Sequence, residues 1–221
     1  MTAIVRVWDA PTRLFHWALV ACFISLIVSG QMGGGAMVWH FRFGYCILTL
    51  LLFRLVWGFQ GGYWSRFQSF FYRPRQILSY LKGHAEPRQL VGHNPLGALS
   101  VFTMLAFLLA QVASGLMSDD EISAAGPLTR FVSSIWVGNA TFYHKEIGKL
   151  GLLVLVVAHL CAIAFYFLRR RENLVRPMLT GDKTLSFTAQ SASDTAADRG
   201  KALVVLVVCA AVVATTVTYL G

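Results

Sequence analysis

The sequence predicts an all-α membrane protein with a four-helix transmembrane bundle and a fifth C-terminal transmembrane helix. Of its 221 residues, 56% are hydrophobic, and the mean hydropathy is +0.60, far from the average for soluble domains. Five apolar runs are each about twenty residues long, the length that crosses a bilayer. Basic residues are concentrated in alternate connecting segments, as in multi-pass membrane proteins.

The first two helices are predicted at 14–30 and 40–59, with a glycine-rich turn at 31–39 between them. The first apolar run directly follows the polar residues 1–13, which contain no signal-peptide cleavage region. We therefore expect this run to be retained as a helix. Pro11 lies at a position where a helix can begin.

Residues 60–93 form a polar connection, and within it 74–81 is expected as a short helix at the membrane interface, near several aromatic side chains. The third transmembrane helix is predicted at 94–116. The fourth is predicted at 143–171, where a long apolar run ends in three arginines. The fifth is predicted at 201–220, and it contains no charge within its apolar part.

The distribution of basic residues predicts the orientation in the membrane. With the N-terminus inside, the inner segments contain 14 basic residues, whereas the outer loops 31–39 and 117–142 contain only Arg130. Basic loops remain on the cytoplasmic side, so the N-terminus is expected in the cytoplasm and the C-terminus outside. The net charge of +9 is unevenly distributed along the chain. Nucleic-acid binding is a poor explanation for it, because no soluble domain is large enough to carry that charge.

Four histidines form two pairs at matching depths in this topology. His16 and His159 lie near the inner surface, and His40 and His144 lie near the outer surface. In a straight helix His144 and His159 would be about 22 Å apart along the axis and about 60° apart around it. Ionisable side chains are costly inside a membrane, which favours a functional position in the bundle interior.

Each pair joins two different helices, as bis-histidine ligation of two stacked haems requires. The sequence therefore predicts an outer haem ligated by His40 and His144 and an inner haem ligated by His16 and His159. No C-x-x-C-H motif is present, so the haems would be held without thioether links. A single histidine near a helix end also fits an ordinary interfacial position, and this alternative remains open.

Two glycines lie on the same helix faces as the outer histidines. Gly44 follows His40 by four residues, and Gly148 follows His144 by four. A missing side chain would let a flat ring approach the helix, so both glycines are candidate cofactor-binding residues. Helix–helix packing is the alternative explanation.

Three arginines are candidates for binding haem propionates. Arg54 would lie about 21 Å below His40 in the second helix, near the inner pair. Snorkelling to the inner surface is the alternative for Arg54. Arg13 and Arg42 are further candidates for the inner and outer haem. His93 begins the third helix at the inner depth, and its role is left open between a hydrogen bond, a quinone contact and an interfacial position.

Four stretches carry a resemblance to a known family. They are VRVWDAPTRLFHW at 5–17, WHFRFGYCILTLLLFRLVWG at 39–58, GHNPLGALS at 92–100 and YHKEIGKLGLLVLVVAH at 143–159. They resemble the bacterial di-haem cytochrome b561 family, which includes the b-type cytochrome subunits of nickel–iron hydrogenases. The resemblance covers about residues 4–183, and the family's axial ligands map onto the same four histidines.

The resemblance implies a transmembrane electron-transfer subunit of an oxidoreductase system, in the respiratory chain of the bacterial inner membrane. Two b haems would carry electrons between the quinone pool and a periplasmic redox partner such as a c-type cytochrome. The acidic run 119–121 could steer a basic partner to the outer haem. An ordinary solvated loop is the alternative for this run.

Two other function classes remain open from the sequence. The first is a stand-alone quinone-linked oxidoreductase that acts on a small molecule such as superoxide at the outer face, where Lys145 and Lys149 could attract an anion. The second is a non-redox transporter or assembly protein, which would be colourless.

The chain is expected to divide into three parts. Residues 1–183 would be the di-haem cytochrome b transmembrane domain, 184–200 a flexible polar linker, and 201–221 the C-terminal transmembrane helix. The composition of 184–200, poor in aromatic residues and rich in small polar ones, favours a flexible segment.

Overall fold

The computed structural model describes residues 2–121 and 124–220. This part of the chain is mostly helical, and five helices are long and apolar enough to cross a membrane. The spans are Ala10–Met32, Gly34–Gln60, Pro95–Leu116, Ser134–Arg169 and Ala196–Tyr219. The predicted fold class, an all-α membrane protein with four spans and a fifth at the C-terminus, is confirmed.

The α-helices and β-strands of the described residues are numbered in chain order. The helices are α1 (Ala10–Met32), α2 (Met37–Gln60), α3 (Pro74–Leu81), α4 (Pro95–Leu116), α5 (Ser134–Phe142), α6 (Lys149–Arg169), α7 (Val175–Thr180) and α8 (Ala196–Leu220). The two strands are β1 (Ala3–Arg6) and β2 (Asp182–Leu185). Helix α3 spans the residues expected for the short interfacial helix.

Helix α1 begins four residues before the predicted start because Asp9 caps it. The carboxylate of Asp9 accepts a hydrogen bond from the Thr12 amide at 2.8 Å, as a helix N-cap does. Asp9 is fully buried, and its other oxygen accepts from the Gly62 amide at 2.8 Å. Pro11 lies in the first turn, where its missing N–H leaves no intrahelical bond unmade.

Helices α5 and α6 are continuous, because a π-helical turn at Tyr143–Gly148 joins them into one span of 36 residues. The span therefore starts at Ser134 and not at the predicted residue 143, since residues 134–142 contain no charge, no proline and only one glycine. A π turn shifts the helical register by about one residue, or about 100°. The angle predicted for a straight helix therefore does not apply to the two histidines of this span.

The chain forms two compact units. The first contains Met1–His16, Arg54–Thr103 and Val157–Val205, and the second contains Trp17–Phe53, Met104–Val156 and Leu206–Gly221. Among the described residues, the core of the second unit is formed by buried apolar side chains of three spans. They are Ile47, Leu51, Leu108 and Leu152.

The first unit contains a small sheet and an apolar core formed by the N-terminal segment and the loops. Strand β1 pairs antiparallel with β2, from Ala3 opposite Leu185 to Arg6 opposite Asp182. The buried core side chains are Val5, Val7, Trp8, Trp64, Val91, Leu185 and Ala192. The sequence pattern did not predict this sheet, because each strand is only four residues long.

The segment 184–200 is polar, as expected, but much of it contacts the N-terminal segment. The Ala192 amide donates to the Arg6 carbonyl at 2.7 Å, and Leu185 and Ala192 are buried. Helix α8 begins at Ala196, five residues before the predicted start. The three-part division of the chain stays a prediction.

Candidate haem-binding sites

The outer pair of histidines lies together in the second unit. His40 is in the first turn of α2, and His144 lies in the π turn. Their ring centroids are 6.1 Å apart and their planes are 82° apart. Two imidazoles that share one metal ion through nitrogen bonds of about 2 Å place their centroids about 6 Å apart. The separation therefore fits a shared iron.

Both outer imidazoles are oriented by backbone carbonyls. His40 Nδ1 lies 3.1 Å from the Leu26 carbonyl, and His144 Nδ1 lies 2.9 Å from the Gln111 carbonyl. Because a carbonyl only accepts, each Nδ1 carries the proton and donates, and each Nε2 keeps its lone pair. A metal-ligating histidine usually donates its other N–H in this way.

A cavity of about 470 Å³ lies beside the outer histidines, and both of them line it. This volume falls in the usual range for ligand pockets, about 300–1,000 Å³. Gly44 also lines the cavity, and a Cβ added there would meet no heavy atom within 4 Å. Charged residues of both signs also line the cavity, and these are Asp119, Asp120, Lys145 and Lys149.

Helices α1 and α4 hold the outer histidines through similar sequences that sequence reasoning missed. The segments are LIVSGQM at 26–32 and QVASGLM at 111–117. The signal that would have found them is their identity at three of seven positions, which include a Ser-Gly pair in each.

The inner histidines, His16 and His159, lie in the first unit. The same unit contains two further basic side chains, those of His93 and Arg54. Burial, and after it the positive charge of Arg54, lower the pKa of His93 to about 3. His93 is therefore neutral at physiological pH. Its ring packs between Trp8 and Phe70, at 4.6 Å from each ring centroid.

Arg54 is almost completely buried, with 3% of its surface exposed, so it does not snorkel to the surface. Its Nη2 donates to the Ser65 carbonyl at 3.0 Å, and its guanidinium lies 4.6 Å from the Phe67 ring centroid. Within the described residues, Arg54 Nη1 and His93 Nδ1 are buried without a hydrogen-bond partner. Buried polar atoms without partners are costly, so these two atoms fit a carboxylate such as a haem propionate.

The other predicted site residues have different surroundings. Arg13 is half-buried and donates to the Leu179 carbonyl, and its Nε is buried without a partner in the described part of the chain. Arg42 is exposed and lies over Trp39 at 4.8 Å. Among the described residues that line the outer cavity, Gly44 is present, whereas Arg42 and Gly148 are not.

Five membrane-spanning helices with histidines oriented for metal ligation define a membrane-bound b-type cytochrome. The family model described as prokaryotic cytochrome b561 matches residues 7–181. The chain belongs to this family, which confirms the resemblance seen in the sequence.

Relatives that match the chain carry the name of probable Ni/Fe-hydrogenase B-type cytochrome subunits. The one from Bradyrhizobium diazoefficiens is 26% identical over 215 residues, which cover 81% of this chain and 85% of the relative. The one from Azotobacter vinelandii is 27% identical, with 80% and 87% covered. The hydrogenase 1 subunit from Escherichia coli K12 is 23% identical, with 82% and 91% covered. No solved structure matches the chain.

Proposed function

We propose that this protein transfers electrons across the bacterial inner membrane through two b haems. His40 and His144 would ligate the outer haem, and His16 and His159 the inner one. Haem iron supplies reversible one-electron chemistry when it is bound. The observation that carries the proposal is the outer pair, with ring centroids 6.1 Å apart and both Nδ1 atoms hydrogen-bonded to carbonyls.

We further propose how the chain binds the propionates. Arg54 and His93 have buried, unpartnered nitrogen atoms among the described residues, and Arg13 has a buried Nε in the same situation. These groups belong to the first unit, which also contains the inner histidines. They support a carboxylate-binding site for the inner haem. Gly44 would leave room for the outer haem, and residues 1–183 would form the di-haem domain.

The proposed electron path connects membrane quinone to a redox protein on the periplasmic face. The names of the relatives favour a hydrogenase as the class of partner. The acidic side chains of Asp119 and Asp120 at the outer cavity favour a partner with a basic surface, such as a c-type cytochrome. Reduction of such a partner should slow as ionic strength rises, because salt screens exposed charges.

The second candidate function is a quinone-linked oxidoreductase that acts alone on a small anion such as superoxide. Lys145 and Lys149 favour it, because they line the same cavity as His144. Purified protein that consumes superoxide with quinone, and without a partner, would support this candidate. Membership of a cytochrome family disfavours the third class, a non-redox transporter or assembly protein.

The test of the main proposal is the haem content of single histidine variants. Reduced-minus-oxidised spectra and haem-to-protein ratios should show two b haems in the wild type and one in His159→Ala. The exposed His84 provides a matched control, and His84→Ala should retain both haems. Folded wild-type protein without haem, or His159→Ala with two haems, would contradict the proposal.

A further inference from the structure

Two segments with related sequences contact the outer histidines, His40 and His144. Residues 26–32 end α1, and residues 111–117 run to the end of α4 and one residue beyond it. They share serine at the fourth position, glycine at the fifth and methionine at the seventh. In both, the carbonyl of the first residue accepts the Nδ1 hydrogen of a histidine. The chain therefore uses one local arrangement twice.

The Ser-Gly pair brings each imidazole close to its helix. Ser29 Oγ is 3.5 Å from His40 Nδ1, and Ser114 Oγ is 3.4 Å from His144 Nδ1. A Cβ on Gly30 would lie 3.1 Å from the His40 ring, and one on Gly115 would lie 2.7 Å from the His144 ring. Glycine is thus needed for the close approach, most strictly at 115.

The two segments differ at their first position, where one has Leu26 and the other has Gln111. The side chain of Gln111 donates from Nε2 to the His144 carbonyl at 2.9 Å. Its own carbonyl accepts from His144 Nδ1, also at 2.9 Å. Gln111 therefore bonds to both the backbone and the ring of His144. A leucine side chain has no group that can donate such a second bond to His40.

The π turn and Gly148 accommodate the second bond. His144 lies within the π turn, where backbone bonds run to the fifth residue and not to the fourth. A Cβ on Gly148 would lie 1.9 Å from Gln111 Oε1, which the side chain could not tolerate. Gly148 is therefore explained by the Gln111 amide and not by a ring in the cavity.

We propose that Gln111 is a positioning residue that fixes the backbone and ring of His144 for iron ligation, and that Gly148 makes room for it. This inference rests on the proposed role of His144 as the outer axial ligand. Loss of the Gln111 amide should let His144 leave the iron more easily, because outer partners of metal ligands typically contribute about 10–100-fold to metal affinity.

The test is carbon monoxide binding to the reduced protein, with the low-spin signal of the oxidised protein as a second readout. Carbon monoxide binds a bis-histidine haem only after one histidine leaves. Gln111→Met keeps the side-chain length but removes the donor, and we expect the affinity for carbon monoxide to rise about 10–100-fold. Gln60→Met is the matched control, since exposed Gln60 ends α2 and is not among the described residues that line the cavity, and it should behave as the wild type.

Gly148→Ala tests the same contact from the other side. It should raise carbon monoxide affinity as Gln111→Met does, because a Cβ there would lie 1.9 Å from Gln111 Oε1 and 2.8 Å from Tyr143 Cε1. Combined with Gln111→Ala it should add less than it does alone, because the displaced amide is then absent and only the Tyr143 contact remains. Unchanged affinity and an unchanged low-spin signal in both Gln111→Met and Gly148→Ala would overturn the inference and leave the haem proposal intact. Wild-type protein without haem would overturn the haem proposal itself.

Discussion

Arg54 is the residue whose surroundings most clearly require a ligand. It is 3% exposed, and one of its terminal nitrogens has no partner among the described residues. A buried charge usually has a counter-charge. The buried carboxylate of Asp9 lies near enough to act on the Arg54 charge, and a haem propionate would add a direct partner for the unpartnered nitrogen. The positive charge would in turn favour the reduced form of the iron.

Arg54→Leu should therefore lower the midpoint potential of the inner haem. A unit charge acting over about 10 Å at an effective dielectric constant of 20 is worth about 1.7 kcal/mol. For one electron this corresponds to a shift of about 70 mV. A redox titration followed by absorbance measures it, and the outer haem should shift less, because the Coulomb effect falls with distance.

Arg42 provides the control for this prediction, since it is exposed and lies over Trp39. Arg42→Leu removes the same charge and should leave the inner potential unchanged. Equal shifts in the two variants would mean that overall charge, and not the buried arginine, sets the potential.

The buried imidazole of His93 should make the stability of the protein depend on pH. With no carboxylate bound to its ring nitrogen, its pKa is about 3 in the folded protein, whereas it is about 6.5 in an unfolded chain. Below pH 6.5 the unfolded state binds a proton that the folded state does not. The free energy of unfolding therefore falls by up to about 1.4 kcal/mol for each pH unit, until about pH 3.

Replacement by phenylalanine should remove this pH dependence while keeping a ring between Trp8 and Phe70. Relative to His93→Phe, the wild type should lose about 2 kcal/mol of stability between pH 7 and pH 5. Thermal unfolding of haem-depleted protein in detergent at the two pH values measures the difference. Parallel losses in both proteins would contradict the assignment of His93 as a buried neutral group.

At the scale of elements, Asp194 connects the two ends of the chain. Its side chain is 3% exposed. It accepts hydrogen bonds from Arg6 at 2.7 Å, from the Ala10 amide at 3.1 Å and from Arg199 at 3.0 Å. Burial raises the pKa of Asp194, but the bonds from Arg199, Ala10 and Arg6 outweigh it and lower the pKa overall. The carboxylate therefore holds together β1, α1 and α8.

Asp194→Asn should destabilise the protein by about 2–3 kcal/mol, because it weakens several charge-assisted bonds at a buried position. Asp182→Asn is the comparison, since Asp182 also pairs with Arg6 but is 35% exposed. Its effect should stay below about 1 kcal/mol. The stabilisation from Asp194 should also disappear in acid, as pH falls through its lowered pKa. Equal effects of the two variants would contradict the central position of Asp194.

The sequence predicted the elements that depend on apolar runs and missed those that depend on tertiary contacts. Helix α4 was predicted within one residue, because Pro95 and the apolar run define its start. The π turn was not predictable, since it accompanies a bond between Gln111 and His144, which are far apart in the sequence. The β1–β2 pair likewise joins residues about 180 positions apart.

At the scale of the whole molecule, topology predicted the two histidine pairs, and their role as haem ligands stays a prediction. The structure places His40 beside His144 in one unit and His16 with His159 in the other. The roles of His93 and Gly148 were not accessible in this way. They depend on side-chain contacts, with Phe70 and Gln111 respectively, that no spacing rule contains.

The orientation of the whole molecule can be tested by labelling single cysteines. The predicted topology puts His84 in the cytoplasm and Ala125 in the periplasm, because 14 basic residues lie on the inner side and only Arg130 lies in the outer loops. Both positions are exposed. After the native cysteines are replaced, an impermeant maleimide should label Ala125→Cys in intact spheroplasts.

His84→Cys should react only after the cells are broken, and this second position is the control for leakage of the reagent. The reverse pattern would invert the topology. It would then move the His40–His144 site to the cytoplasmic side and exclude a periplasmic partner for it. Labelling of both positions before lysis, in sealed spheroplasts, would contradict a fixed orientation altogether.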